Sequence, residues 1–196
     1  MPEAATGVLT PDEILVDLAR RGDRSACEEL FFRHRGVAYS VAYRLLGHEQ
    51  DAQDAVQDGF LKAVTHLQAF DGRSTFRTWL VKIVHNAALD LGRKRKRRST
   101  QPLSDEENNG TDPACDDDPA RGLHQQDLHR LLTAALDRLS PAIRSTFVLF
   151  ADAGLSYKEI AEVQEIPIGT VMSRLHHARN KLQSYLNLDA IDGVDI

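Results

Sequence analysis

Apolar residues recur along this chain at intervals of three and four, and no stretch alternates apolar with polar. That period is helical, so the pattern predicts an all-α protein. Thr10-Pro11-Asp12-Glu13 reads as a helix start, with Thr10 capping, Pro11 in the first turn and Glu13 closing a capping box. The helix runs to about Arg21 and breaks at Gly22-Asp23. Ser25 to Leu46 carries Leu30, Phe31, Val37, Val41, Ala42, Leu45 and Leu46 at helical spacing, and Gly47 ends it. Glu49 to Leu67 aligns Ala52, Val56, Phe60 and Ala63 on one face. After a turn at Asp71-Gly72, a helix from about Thr75 to Arg97 has the stripe Phe76, Leu80, Ile83, Ala87 and Leu91.

The pattern then fails. Residues 99–124 are rich in Asp, Glu, Asn, Pro and Gly and carry 7 acidic against 1 basic residue. Such a segment buries too little apolar surface to offset chain entropy, so it reads as a flexible linker. Helical spacing returns from about Gln125 to Leu139, and again from Ser140-Pro141 to just before Gly154. Ser156-Tyr157-Lys158-Glu159 is a second capping box, opening a short helix to about Val163. A turn at Glu165–Pro167 leads into a last helix from Ile168 to about Tyr185. The chain thus divides into residues 10–98, an acidic linker at 99–124, residues 125–188 and an acidic tail at 189–196.

Charge changes the picture once it is resolved by segment. The net charge of -5 hides 16 Lys/Arg against 13 Asp/Glu in residues 1–98, because the linker and tail hold so many acids. Local potential, not total charge, steers a polyanion. Cys27 and Cys115 form no C-x-x-C pair and make a poor disulfide framework, which fits a reducing cytosol. With neither a signal pattern nor a long apolar run, a cytoplasmic chain with no membrane partner is expected.

The last two helices have the arrangement of a helix-turn-helix. Ile160, Ala161 and Val163 of the first, and Ile168, Val171, Leu175, Ala178 and Leu182 of the second, are expected to point inward. Thr170, Ser173, Arg174, His177 and Lys181 then share the outward face, with the chemistry to read bases and phosphates. The spacing alone suits an ordinary amphipathic helix equally well.

The residues also carry a resemblance. LSYKEIAEVQEIPIGTVMSRLHHARNKL resembles the promoter-reading helix-turn-helix of sigma factors. It departs at Met172 and His177, where Lys and Arg are usual. GDRSACEELFFRHRGVAYSVAYRLLG, DAQDAVQDGFLKA and FDGRSTFRTWLVKIVHNAALDLGRKRKRR resemble, in order, successive segments of sigma domain 2. The order and short length resemble the extracytoplasmic-function (ECF) group of the sigma-70 family. The resemblance implies an all-α fold: a domain 2 helical bundle and a domain 4 helix-turn-helix joined by the linker. It implies core RNA polymerase (clamp helices of the largest subunit, beta flap) and promoter DNA as partners. It also implies an anti-sigma factor as a partner and a chain monomeric when free.

Asp51, Asp54 and Asp58, with Gln57 beside them, form an acidic stripe. By itself this is a solvated helix face. The resemblance makes Asp51, Asp54, Gln57, Asp58 and Leu61 the core-polymerase contacts. It likewise assigns the −10 element to Arg73, Phe76, Trp79, Lys82, His85, Asn86 and Arg93, with Asn86 reading an extruded base. From composition alone, Phe76 and Trp79 read better as core. The basic run Arg93 to Arg98 suits duplex phosphates. The linker is either an acidic mimic in a polymerase channel or a plain spacer.

No phosphate loop, dinucleotide turn or metalloprotease motif occurs, so neither an enzyme nor a cofactor or metal is expected. The rival reading is a stand-alone helix-turn-helix regulator that binds duplex DNA unaided. A purely protein-binding bundle leaves the Asn86 region unexplained.

Overall fold

The computed structural model describes residues 10–99 and 133–186. The acidic linker, the first part of the helix expected from Gln125, and the acidic tail lie outside them. Every regular element among the described residues is helical.

Helix α1 is Asp12–Arg20, and its cap differs from expectation. Pro11 holds the cap position with extended backbone and Thr10 caps nothing. The carbonyl of Thr10 instead accepts a bond from Arg33 of the next helix. In α2, Arg24–Leu46, the Asp23 side chain accepts from the Ala26 amide, and Gly47 closes the helix at φ 68°. That left-handed angle suits glycine. Helix α3, Glu49–His66, runs into a single 3-10 turn at Leu67–Ala69, and α4 spans Phe76–Ser99.

The first three long helices share a core of Leu30, Ala38, Ala42, Ala52, Ala55, Ala63, Leu80, Val84 and Ala88. Fully burying a leucine such as Leu30 or Leu80 contributes roughly 1.5–3 kcal/mol. The many alanines let the helices approach closely. Closest is the crossing at Gly59, where an added Cβ would lie 2.6 Å from Cγ2 of Val84. The periodicity of large apolar residues gave no sign of this small-residue seam.

The second unit contains helical residues 133–137, then α5 Pro141–Ala151, α6 Tyr157–Gln164 and α7 Ile168–Leu186. Ser140 precedes Pro141 at the cap position of α5 but makes no side-chain cap bond. At α6 the expected capping box is complete: Ser156 Oγ accepts from the Glu159 amide, and Glu159 accepts from the Ser156 amide at 2.9 Å. Glu165 ends α6 at φ 56°, which turns the chain into α7. Val171, Leu175, Ala178 and Leu182 point inward as expected. Ile168 does not; it is 50% exposed, and Ile166, just before the helix, packs on the core in its place.

The two units share an apolar seam. Val41 of α2 and Val81 of α4 are fully buried in one cluster with Val148, Leu149, Ile160, Val171 and Leu175. Helix α4 is therefore covered on two sides, by α2 and α3 through Leu80, Val84 and Ala88, and by the second unit through Val81. A single stripe was expected from its sequence. Arg44 of α2 adds polar ties, meeting Asp152 at 3.5 Å, donating to Thr133 and accepting at its carbonyl from Arg144.

Candidate nucleic-acid and polymerase interfaces

On α7, Ser173, His177 and Lys181 are exposed, and Thr170 and Arg174 are half-buried. The inward stripe above fixes this orientation. Met172 joins the outward face at 54% exposure, beside Ile168, so the helix presents an apolar patch at its start and cations beyond. Arg174 is already engaged, donating to Gln164 Oε1 at 3.2 Å. Arg179 serves the fold instead, lying over the Phe150 ring and donating to the Tyr157 hydroxyl. His176 and His177 stand with ring centroids 6.0 Å apart and ring planes 61° apart; Asn180 bonds the former.

The −10 candidates separate into three groups. Phe76 is 4% exposed and Trp79 half-buried; both pack with Phe70 in the first core, as composition suggested. Arg73 and Arg93 stand in solvent, paired locally with Asp71 and Asp90. Lys82, His85 and Asn86 lie on the side of α4 that faces the second unit. Lys82 Nζ is 2.9 Å from Glu165 Oε1, and His85 Nε2 is 2.6 Å from Ser145 Oγ. Asn86 is exposed, its Oδ1 3.3 Å from His85 Nδ1. Burial pushes the His85 imidazole below its ordinary pKa, and the Arg93 charge adds to this against the bond to Asn86 Oδ1.

Two grooves flank this contact. One, about 780 Å³, runs between the 72–78 segment and Gly154, Leu155, Lys158 and Glu159. Within it Thr78 donates to Glu159 at 2.7 Å. Burial raises the Glu159 pKa, but the bonds from Thr78 and Ser156, with Arg77 nearby, outweigh it and hold the carboxyl below its usual value. The other groove, about 630 Å³, is lined by Asn86, Arg93 and Lys96 on one side and Gln164, Glu165 and Arg174 on the other. The structure thus brings candidates for two different DNA elements to one cleft. Nothing in the sequence pattern marked Ser145, Gln164 or Glu159 as the residues between them.

The acidic stripe of α3 stands apart from the cleft. Asp54, Gln57 and Asp58 are exposed, and Leu61 is 68% exposed. Asp58 pairs with Lys62 one turn on, while Asp51 is half-buried and held by Arg95 of α4. Val64, three residues after Leu61, is 48% exposed and extends the patch. It was missed because a lone valine on a helix carries no charge signal.

Comparison with known proteins shows the family. Residues 30–98 match the family model described as Sigma-70 region 2, and residues 129–182 the one described as Sigma-70, region 4. The ECF RNA polymerase sigma factor SigE of Mycolicibacterium smegmatis is 37% identical over 168 residues, which is 84% of this chain and 64% of that protein. This chain thus spans under two thirds of that relative. The RNA polymerase sigma-H factor of Pseudomonas aeruginosa is 32% identical over 180 residues, covering 89% of this chain and 93% of its own. Among solved structures, CnrH in complex with the cytosolic domain of CnrY aligns with a TM-score of 0.65 at 31% identity, covering 91% of this chain and 98% of its own. The sigma factor RpoE of Bartonella quintana, solved with the anti-sigma factor NepR, aligns at 0.69 and 28%, covering 83% and 97%.

Proposed function

This chain belongs to the sigma-70 family, in its ECF group, and from that membership we propose that it carries core RNA polymerase to promoters. Helix α3 docks on the polymerase clamp helices, α7 reads the −35 duplex, and α4 with the 71–75 loop captures the −10 strand. The supporting observation is the order of two family matches on one chain, region 2 then region 4, each falling on its own helical unit.

The chemistry of each surface fits its role. Asp54, Gln57 and Asp58 surround the exposed Leu61. An apolar anchor ringed by carboxylates suits a partner with arginines, the charges giving orientation and on-rate more than affinity. On α7, Ser173 and Arg174 can reach base edges, and Lys181 a phosphate. Asn86, exposed on α4, offers an amide to the edge of an extruded base. Unstacking a base costs a few kcal/mol, which capture of the single strand offsets. Arg93 and the run to Arg98 neutralise phosphates, so binding weakens steeply with salt. Binding energy alone performs the work. An anti-sigma factor is a further proposed partner, since the RpoE structure was solved with one.

A promoter-DNA titration in defined salt, with and without bacterial core polymerase, tests this reading. Specific binding is expected only with core. Asp54→Arg should abolish the promoter binding seen with core by weakening polymerase binding, and Asn86→Ala should weaken −10 recognition about tenfold or more, with core binding retained. Tight specific duplex binding without core, indifferent to both substitutions, would mean a conventional regulator.

A further inference from the structure

The outward side of α7 has two unlike flanks. Val171, Leu175, Ala178 and Leu182 are buried, and at the helical period Ser173 stands opposite them, exposed. Thr170, Arg174, His177 and Lys181 run down one flank, which is polar and cationic. Ile168, Met172 and His176 run down the other. Arg174 lines the groove that Asn86 and Arg93 share, whereas Ile168 and Met172 line neither groove between the units. They stand 50% and 54% exposed.

A single exposed apolar side chain needs no explanation. These two lie one turn apart, at the start of the helix, and in a helix-turn-helix that is the end that contacts base edges. Gly169, between them in sequence, is also exposed, and a Cβ added there would meet nothing within 4 Å. Packing therefore does not call for glycine at that position. Its missing side chain lets base edges come close to the first turn. Isoleucine has no hydrogen-bonding group, and methionine offers only a weak acceptor. What they can read is an apolar group, and on the major-groove edges that group is the thymine C5-methyl. Residues four apart are separated by about 6 Å along a helix axis. Successive phosphates of one DNA strand advance about 3.4 Å. The pair thus spans about two adjacent base pairs.

We propose that Ile168 and Met172 are specificity-determining residues: they pack on the C5-methyl groups of adjacent thymines in the −35 duplex, so that this chain selects thymine at those steps. The inference rests on the reading of α7 as the −35 helix. Ser173 and the cationic flank supply hydrogen bonds and phosphate contacts, which position the helix. The apolar flank adds discrimination by a methyl group. Uracil presents the same hydrogen-bonding groups as thymine and lacks only that methyl, so exchanging the two isolates the contact.

The test uses the full chain with bacterial core polymerase. Duplexes randomised across the promoter region are selected for binding. Each thymine of the enriched −35 element, on either strand, is then replaced singly by deoxyuridine. With the wild-type chain, replacement at one or two adjacent positions should weaken binding about fourfold, the contribution of one buried methyl-sized group. Met172→Ala and Ile168→Ala should each bring the thymine-to-uracil affinity ratio toward one at its own position. The ratio is taken within each chain, so a change in folding or in core affinity cancels from it. An enriched element without thymine on either strand, or replacements without effect in wild type, overturns the proposal. So does a ratio that both variants keep, which would place the methyl contact on another residue such as Thr170. Silent replacements, with Met172→Ala altering the sedimentation of the free chain, would assign the pair to contact with a second copy instead. Failure to enrich any −35 element even with core overturns the reading of α7 itself, and is distinct from an enriched thymine that tolerates uracil.

Discussion

His85 illustrates how much one side chain's surroundings decide. The sequence offers a titratable ring beside Asn86 in a basic helix, which suggests a DNA contact. The fold buries that ring against Ser145, with Arg93 on its own helix, Gln164 of α6, Glu165 just after it and Arg174 of α7 around it. Burial lowers its pKa, so the closed packing is favoured by the neutral ring. The sign follows from linkage: the packed state binds fewer protons there than the open state. That stabilisation is complete above the ordinary histidine value of about 6.5 and fades as pH falls from there toward the lowered one. Alkylation of a cysteine placed at Val81, measured against a matched thiol pH control, should therefore accelerate as pH falls below about 6.5, and His85→Gln should flatten the response. A rate ratio independent of pH without His85→Gln would show that His85 does not couple protonation to this packing. The outward residues of α7 were legible because every third or fourth neighbour had to be buried. Arg174 was legible as outward-facing, but not as bonded to Gln164, since that bond depends on how two helices meet.

Among the elements, α3 and α4 carry the strongest contrast between pattern and structure. Their boundaries followed from Gly47, the Asp71-Gly72 turn and helical spacing, and the structure agrees to within a residue or two. The intimacy of their crossing did not, because glycine inside a helix reads as a weakness rather than as a contact. Gly59 and Gly36 separate the two meanings. A Cβ at Gly59 would strike Val84, while one at Gly36 meets nothing within 4 Å. Gly36→Ala should stabilise the chain by about 0.5–1 kcal/mol through helix propensity. Gly59→Ala gains the same propensity but overpacks the crossing, for a net loss of about 1 kcal/mol. Urea melts of both variants check this; stabilisation by both would mean that α4 yields at Val84 without cost. The second buried side of α4 was likewise invisible in sequence. Val81 reads as an ordinary off-stripe valine until the second unit is seated on it.

For the whole molecule, the sequence pattern gave two helical units and the linker's composition marked their boundary, but no local signal could say how they sit together. That arrangement depends on contacts separated by 60 residues or more, such as His85 with Ser145 and Thr78 with Glu159. It joins the two proposed DNA-reading faces in one cleft and leaves the α3 patch on the outside. The most direct test of the central claim is a single-round transcription assay with core polymerase and this chain on a promoter of its own source. Initiation at one defined start, absent with core alone and lost on Asp54→Arg, is the result the sigma assignment predicts. Transcription by core that is unchanged by the chain, while the chain alone binds the same DNA tightly, would contradict it.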